Sequence, residues 1–175
     1  MPKGKATGVD RAYQVTCRDV LVHRDPSLVP LEADGIDIAV PLPDATWTFD
    51  VALRALDGRV VVAECRRTRN SVKQKDVAAF ALTVESLRRT LGSQVSAFFF
   101  TKSMHQLGAV RVGDYYGIEV AILQEDAHPP GFNMTFLSYD PDREQKLRHL
   151  VMHVETGQLS LTGHPPSVVQ TDHKA

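Results

Sequence analysis

The stretch WTFDVALRALDGRVVVAECR, residues 47–66, decides how the rest of this chain is interpreted. Two apolar, β-branched segments flank the pair Asp57-Gly58, which is a strong signal for the turn of a β-hairpin. Asp50 lies on the first predicted strand, and the second strand ends on Glu64 and Arg66. Two carboxylates and a cation on one side of a sheet are the minimal set that holds Mg²⁺ against a phosphodiester.

The register of this hairpin decides whether the two carboxylates face each other, because side chains alternate between the faces of a strand. A two-residue loop places Asp50 opposite Cys65, so that Asp50 and Glu64 face opposite sides. A three-residue loop with Gly58 in the left-handed conformation places Asp50 opposite Glu64, with Arg66 on the same face. Both loops are common, so the sequence permits the acidic pair without requiring it.

If the carboxylates share a face, they hold Mg²⁺ together with the backbone carbonyl of Cys65 as a further oxygen ligand. The alternative to a metal site is that Asp50 lies on a solvated face of an edge strand and that Glu64 forms an ion pair with Arg66 or Arg54 across the hairpin.

The composition is that of an ordinary soluble globular protein. The 175 residues are 43% apolar and 23% charged, which suits one domain, or a domain with a small appendage, whose core is stable without disulfides or metals. A net charge of −1 gives no overall basic excess for nucleic acid, although a local basic cluster is sufficient to contact phosphates. Two cysteines predict no disulfide framework, and no apolar run approaches the ~20 residues of a membrane span, so we expect a cytoplasmic protein.

The segments around the hairpin predict an α/β domain with a mixed sheet. Residues 11–23 fit neither period cleanly and lean toward strand because of their β-branched content. Ser71 with Gln74 predicts a capping box, and Gly92 predicts the end of the same helix. The expected order outside the hairpin is a strand at 36–40, a helix from the Ser71 cap to just before Gly92, a strand at 95–101, a helix at 103–116 and a strand at 118–123. The first strands are expected to be antiparallel, whereas the last strand–helix–strand unit implies parallel pairing.

Four regions are expected along the chain. Residues 1–10 are a flexible tail, residues 11–125 are the core, residues 126–163 are a β-rich extension, and residues 164–175 are a disordered tail. The extension carries three further predicted strands, with turns at Pro141-Asp142 and Thr156-Gly157.

These segments together resemble the restriction-endonuclease-like superfamily of PD-(D/E)xK nucleases, most closely its Mrr-like restriction enzymes. The similarity covers about residues 34–123 and rests on short matches in the right order: DGID at 34–37, FDV at 49–51, ECRR at 64–67, VKQKDVAAF at 72–80, FFFT at 98–101 and GIEV at 117–120. The resemblance implies a mixed β-sheet flanked by helices and cleavage of DNA with Mg²⁺ or Mn²⁺. It also implies a homodimer or larger homo-oligomer, for which the small C-terminal β extension supplies a contact.

The resemblance maps the acidic residues of the family onto Asp50 and Glu64, with Asp37 on the preceding strand as the alternative for the first acid. The position of the lysine in the motif holds Arg66, which keeps the charge and binds phosphate in a bidentate way. Arginine does not give up a proton near neutral pH, so Lys73 at the start of the helix is the candidate for the missing ammonium.

A basic cluster beside the carboxylates, formed by Arg67, Arg69 and Lys75, is expected to contact the phosphates of DNA. The alternative is a solvated loop. The change from lysine to arginine also supports a second function, in which a catalytically degenerate member of this fold acts as a DNA-binding or assembly module. A third possibility is an α/β scaffold with no role on nucleic acid.

Overall fold

The computed structural model describes residues 8–43, 45–92, 94–103, 105–126, 131–138, 146–155 and 158–162. Both predicted tails fall largely or wholly outside these residues, as do the predicted turns at 141–142 and 156–157. The helices are α1 (Gly8–Arg24), α2 (Gln74–Leu91) and α3 (Leu107–Tyr115). The strands are β1 (Val29–Pro30), β2 (Ile36–Pro41), β3 (Thr46–Arg54), β4 (Val60–Arg66), β5 (Val95–Thr101), β6 (Ile118–Asp126), β7 (Gly131–Ser138), β8 (Lys146–Glu155) and β9 (Gln158–Thr162).

These strands form one mixed sheet in the order β1-β3-β4-β5-β6-β7-β8-β9, with β2 also paired to β3. The pairs β2–β3 and β3–β4 are antiparallel, whereas β4–β5 and β5–β6 are parallel, as the sequence predicts. The C-terminal strands add to the same sheet, because β7 pairs antiparallel with β6. The predicted α/β class, a mixed sheet flanked by helices with a C-terminal β extension, is confirmed.

The prediction that residues 11–23 lean toward strand is wrong, because they lie within α1, which begins at Gly8. Gly8 to Asp10 therefore belong to a helix and not to the predicted tail. Tyr13, Cys17 and Val20, three or four positions apart, are all at most 2% exposed and pack on the sheet. Burial of this apolar face outweighs the weak helix propensity of the β-branched residues in the same segment.

Helices cover both faces of the sheet, and each face has its own core. On one side Val77, Phe80 and Val84 of α2 pack against the sheet, while α1 packs on the other side. Burial on both faces explains why β4 and β5 are almost continuously apolar in sequence. None of the described helices combines the length and the apolar character needed to cross a bilayer.

The start of α2 differs from the predicted capping box. The helix begins at Gln74 with Lys73 as its N-cap, and the Asp76 carboxylate accepts the backbone N–H of Lys73 at 3.0 Å. The cap therefore lies two residues later than the predicted Ser71. The other end agrees with the prediction, since Gly92 follows the helix with a φ of 80°.

Arg88 fastens α2 to the turn between α3 and β6. Its guanidinium donates to the carbonyl of Gly117 at 2.9 Å and to that of Tyr116, and it forms an ion pair with Glu85 at 3.1 Å. The sequence explains this residue as a favourable charge at a helix C-terminus. In the structure Arg88 also links α2 to the turn between α3 and β6, on the same face of the sheet.

Close packing between α3 and β6 depends on a glycine. A Cβ added at Gly113 would collide with the side chain of Val120 and lie 3.1 Å from the carbonyl oxygen of Ile118. This helix is also shorter than the predicted 103–116, since it spans Leu107–Tyr115.

Candidate functional site

The hairpin loop between β3 and β4 has three residues. Ala55 donates its backbone N–H to the carbonyl of Arg59 at 2.8 Å, which closes the loop around residues 56–58. Gly58 has a φ of 88°, the left-handed conformation that glycine adopts most readily. Of the two loops that the sequence permits, this is the one that places the carboxylates opposite each other.

The register of the strands agrees with the loop. Val51 pairs with Ala63, so the next position along the hairpin places Asp50 opposite Glu64. Both residues are only 5% exposed. Two carboxylates are thus buried side by side near the carboxyl end of β4, where each needs polar partners to offset the loss of water.

Each carboxylate has a defined partner. Oδ2 of Asp50 accepts the backbone N–H of Cys65 at 2.7 Å, and Oε1 of Glu64 lies 2.9 Å from Nη2 of Arg66. The regular pairing of β3 with β4 ends at Val51 and Ala63. Beyond it, the Cys65 N–H donates to the side chain of Asp50 and not to a main-chain carbonyl. Because Cys65 follows Glu64 directly, this bond holds the Asp50 carboxylate beside the part of β4 that carries Glu64.

Arg66 lies half in water. Its side chain is 52% exposed, whereas its partner Glu64 is 7% exposed by the same measure. The guanidinium offsets the charge of the buried carboxylate and still presents free surface to solvent. The ion pair between Glu64 and Arg66 therefore coexists with the facing carboxylates, although the sequence suggested them as alternatives.

Asp37, the alternative for the first acid, faces another part of the molecule. Its carboxylate accepts Nε2 of Gln14 at 2.9 Å and lies 3.5 Å from Nη1 of Arg11. Both partners belong to α1. The contacts of Asp37 thus join β2 to α1, whereas those of Asp50 join β3 to β4, which favours Asp50 as the first acid.

The Cys65 thiol is unsuited to nucleophilic chemistry. Burial raises its pKa well above the usual value, a hydrogen bond with Cys17 adds to the effect, and the charges of Asp50 and Glu64 raise it further. The thiol is therefore protonated at neutral pH and packs beside the α1 core. Participation of the Cys65 carbonyl in metal binding stays a prediction.

The predicted basic residues lie on the connection from β4 to α2. Arg67, Arg69, Lys73 and Lys75 are all exposed. Two contacts anchor this connection to the segment after β5: the hydroxyl of Ser103 donates to the carbonyl of Thr68, and the N–H of Gln106 donates to the carbonyl of Val72 at 3.0 Å. The basic residues thus lie near the carboxyl ends of the parallel strands β4 and β5, where open α/β sheets bind their ligands. Their contact with DNA and the part of Lys73 stay predictions.

Two buried polar residues near the site are missing from the sequence-based predictions. Gln14 is 4% exposed, and His105 is 7% exposed with both ring nitrogens buried and unpartnered among the described residues. The His105 ring packs edge-on against Phe99, which is the neighbour of Glu64 in the β4–β5 ladder. A correct helix assignment for residues 11–23 would have placed Gln14 next to the buried face, but no local pattern singles out His105.

The donor set suits Mg²⁺ in type but is small. Across the described part of the chain, no group of three or more His, Cys, Asp or Glu side chains is close enough to hold a metal ion. Asp50 and Glu64 supply carboxylate oxygens, which Mg²⁺ prefers, and this ion keeps several waters and accepts substrate phosphates as further ligands. Two carboxylates therefore fit a magnesium ion that is completed by substrate.

Two clefts lie at the other end of the sheet. One has a volume of about 490 Å³ and the other about 280 Å³, and Arg24 and Glu119 line both. Neither is lined by Asp50 or Glu64.

No family model and no curated protein sequence matches this chain. Among solved structures, it is similar to a repair endonuclease from Pyrococcus abyssi, with 18% identity, a TM-score of 0.45 and coverage of 69% of this chain and 48% of that one. It is also similar to EndoMS in a complex with double-stranded DNA, with 22% identity, a TM-score of 0.48 and coverage of 71% and 48%. For EndoMS in apo form the values are 21%, 0.40, 69% and 47%.

This chain spans about half the length of each of these solved chains. At such identities and TM-scores the likeness is remote. One of these structures is described as a repair endonuclease, whereas the Mrr-like restriction enzymes stay an expectation from sequence.

Proposed function

We propose that this chain is a nuclease-fold protein that hydrolyses phosphodiester bonds of DNA with Mg²⁺ or Mn²⁺ held by Asp50 and Glu64. The observation that carries the proposal is the hairpin register, which sets these two buried carboxylates opposite each other. A buried pair of carboxylates costs folding free energy, so its presence beside an exposed basic segment favours a binding function over a structural one.

The residues of the chain have separate parts in this proposal. The Cys65 N–H fixes one oxygen of Asp50, and Arg66 fixes one oxygen of Glu64, so both carboxylates are oriented before substrate arrives. When bound, Mg²⁺ supplies polarisation of a phosphoryl oxygen and a lower pKa for water. The part of Arg66 is electrostatic, because its guanidinium binds phosphate oxygens but does not release a proton near neutral pH.

The exposed connection between β4 and α2 supports the choice of DNA as substrate. Arg67, Arg69 and Lys75 present three cations to solvent within nine residues. Such cations contact phosphates without reading base sequence, so we assign them to backbone binding. Lys73, which caps α2, is the residue assigned to assist at the phosphate being cleaved.

Cleavage of supercoiled plasmid DNA in Mg²⁺ or Mn²⁺ tests the proposal. Asp50→Asn and Glu64→Gln keep the size of each side chain and remove its charge, and we expect either change to slow cleavage by roughly 10²–10³-fold. Asp57→Asn is the matched control, since Asp57 is exposed in the hairpin loop and loses the same charge. Equal cleavage by wild type and both site variants would refute the proposal.

One observation favours a second candidate, a DNA-binding module that does not cleave. Arg66 engages Glu64 at 2.9 Å with a charge that is permanent at neutral pH. If wild type does not cleave but Arg66→Lys does, the chain is a binding module that differs from a nuclease by one side chain. For such a module we expect Arg67→Ala and Arg69→Ala each to lower the slope of log K against log salt by about 1.

We extend the proposal to a homo-oligomer formed through the C-terminal strands. β9 is the outermost of the described strands on that side of the sheet, and an outermost strand presents backbone groups that pair readily with a second chain. Light scattering on the full chain and on a chain ending at residue 157 compares the two masses. The same number of subunits per particle in the two chains would exclude the β9 contact.

A further inference from the structure

The strands β2 and β3 change faces partway along their length. In β2, Ile36 packs in the core under α1, yet Ile38 packs in the core under α2. In β3 the paired residues behave in the same way, with Val51 under α1 and Phe49 under α2. Residues two apart share a face in a regular strand, so both strands twist sharply at the residue in between.

The residues at this twist are Asp37 and Asp50, which lie between the paired positions Ile36–Val51 and Ile38–Phe49. Asp37 has a φ of 54°, which is the left-handed region. Residues other than glycine adopt this conformation at a cost in conformational energy, which is smaller for Asp and Asn than for other residues. A strained backbone of this kind inside a strand persists only where its surroundings hold it.

The surroundings of Asp37 come from α1. Gln14 donates Nε2 to the Asp37 carboxylate at 2.9 Å, and Arg11 lies 3.5 Å from its other oxygen. Gln14 is 4% exposed, and its own amide oxygen is buried without a partner among the described residues. Burial of an oxygen without a partner lowers the stability of the fold. The bond to Asp37 offsets this cost and explains why the buried position 14 holds a glutamine.

The left-handed turn separates two carboxylates that a regular strand would bring together. Opposite residues in an antiparallel pair have Cβ atoms roughly 5 Å apart, and like charges there repel. With its contacts on α1, Asp37 is directed away from β4. Asp50 is directed toward β4, where it accepts the Cys65 N–H at 2.7 Å.

We propose that Asp37, held by Gln14, is a positioning residue that aims the carboxylate of Asp50 at β4. The geometry stands on the contacts above, whereas the use of Asp50 for metal binding rests on the proposed function. Two substitutions at one position separate backbone shape from charge. Asp37→Val removes the carboxylate and disfavours positive φ, whereas Asp37→Gly removes it and permits positive φ.

Hydrogen exchange at the Cys65 amide, followed by NMR, reports the bond to Asp50. Asp50→Ala provides the rate for an amide without this acceptor. We expect Asp37→Val and Gln14→Leu to speed exchange at Cys65 by about tenfold, the effect of losing one hydrogen bond to a charged group, and Asp37→Gly to stay within about threefold of wild type. The amide of Val62 in the same strand controls for global stability.

Asp34→Asn is the matched control, because Asp34 also pairs with Arg11, at 2.7 Å, but does not lie opposite Asp50. Unchanged exchange at Cys65 in Asp37→Val would overturn the proposal, and so would equally fast exchange in the valine and glycine variants. If the valine variant does not fold, unchanged exchange in Gln14→Leu overturns it in the same way. A wild-type chain that neither binds Mg²⁺ in the presence of DNA nor cleaves the DNA, but shows the expected exchange pattern, would refute the proposed function and support this inference.

Discussion

Replacement of His105 by leucine removes a buried histidine that the fold keeps neutral. The ring is 7% exposed, packs on Phe99 and has no hydrogen-bond partner for either nitrogen among the described residues. Burial lowers the pKa of His105 from 6.5 to about 4, because a charged imidazolium would lose its water without gaining a partner. The protonated ring is thus compatible with the unfolded chain and costly in the folded one.

The pH window follows from these two pKa values. Below pH 6.5 the unfolded chain binds a proton at His105, whereas the folded chain binds it only near pH 4. The stability associated with the neutral ring is complete above pH 6.5 and is lost as the pH falls toward 4. At about 1.36 kcal/mol per pKa unit, this amounts to roughly 2.5 kcal/mol between pH 7.5 and pH 4.5.

Urea unfolding at these two pH values measures the effect. Carboxylates also titrate in this range, but they are the same in wild type and variant, so the difference between the two losses isolates His105. We expect His105→Leu to lose about 2.5 kcal/mol less than wild type on acidification. His23→Leu, at the exposed end of α1, is the matched control for removing one histidine of seven. Equal losses in wild type and His105→Leu would refute the reasoning, because the ring would then have a partner or access to water.

Two further predictions concern the packing that supports the site. Arg88→Ala removes the contacts between α2 and the turn before β6 and is expected to lower the free energy of unfolding by about 2–3 kcal/mol, whereas Arg89→Ala, which is exposed, changes it by less than about 0.5 kcal/mol. Gly113→Ala is expected to destabilise by about 1–3 kcal/mol through overpacking, whereas Gly108→Ala, where the near atom is the end of a flexible side chain, changes stability by less than about 1 kcal/mol. Urea unfolding at pH 7.5 measures the loss of stability in all four variants. Similar losses in the two arginine variants, or in the two glycine variants, would contradict the proposed contacts.

The elements that the sequence predicts correctly are those with a local signal. The hairpin around Asp57-Gly58 follows from turn chemistry, and α2 follows from apolar residues three and four positions apart. The segment 11–23 shows the limit of such signals. Its valines and threonine favour strand locally, and only the sheet against which Tyr13 and Cys17 pack makes the helix the more stable choice.

The candidate site depends on contacts that the sequence does not contain. Turn chemistry leaves two registers open, and the three-residue loop at Gly58 decides between them only in the folded chain. The bond between Gln14 and Asp37 joins residues 23 positions apart, and the sequence offers Asp37 only as an alternative acid and does not single out Gln14. The sequence therefore predicts the carboxylates and Arg66, but not the contact between Gln14 and Asp37.

Arg66 is the residue that distinguishes the two proposed functions, DNA cleavage and DNA binding without cleavage. The positive charge of Arg66 is useful both for cleavage and for binding alone. It orients Glu64 at 2.9 Å, and half of the side chain stays in solvent, where it can contact a phosphate. Arg66 cannot act as a general acid or base in either function, since a guanidinium stays protonated at neutral pH. A nuclease built on these residues must then obtain its proton transfers from water or from Lys73. A binding module needs none, so the same ion pair is sufficient for binding and insufficient by itself for cleavage.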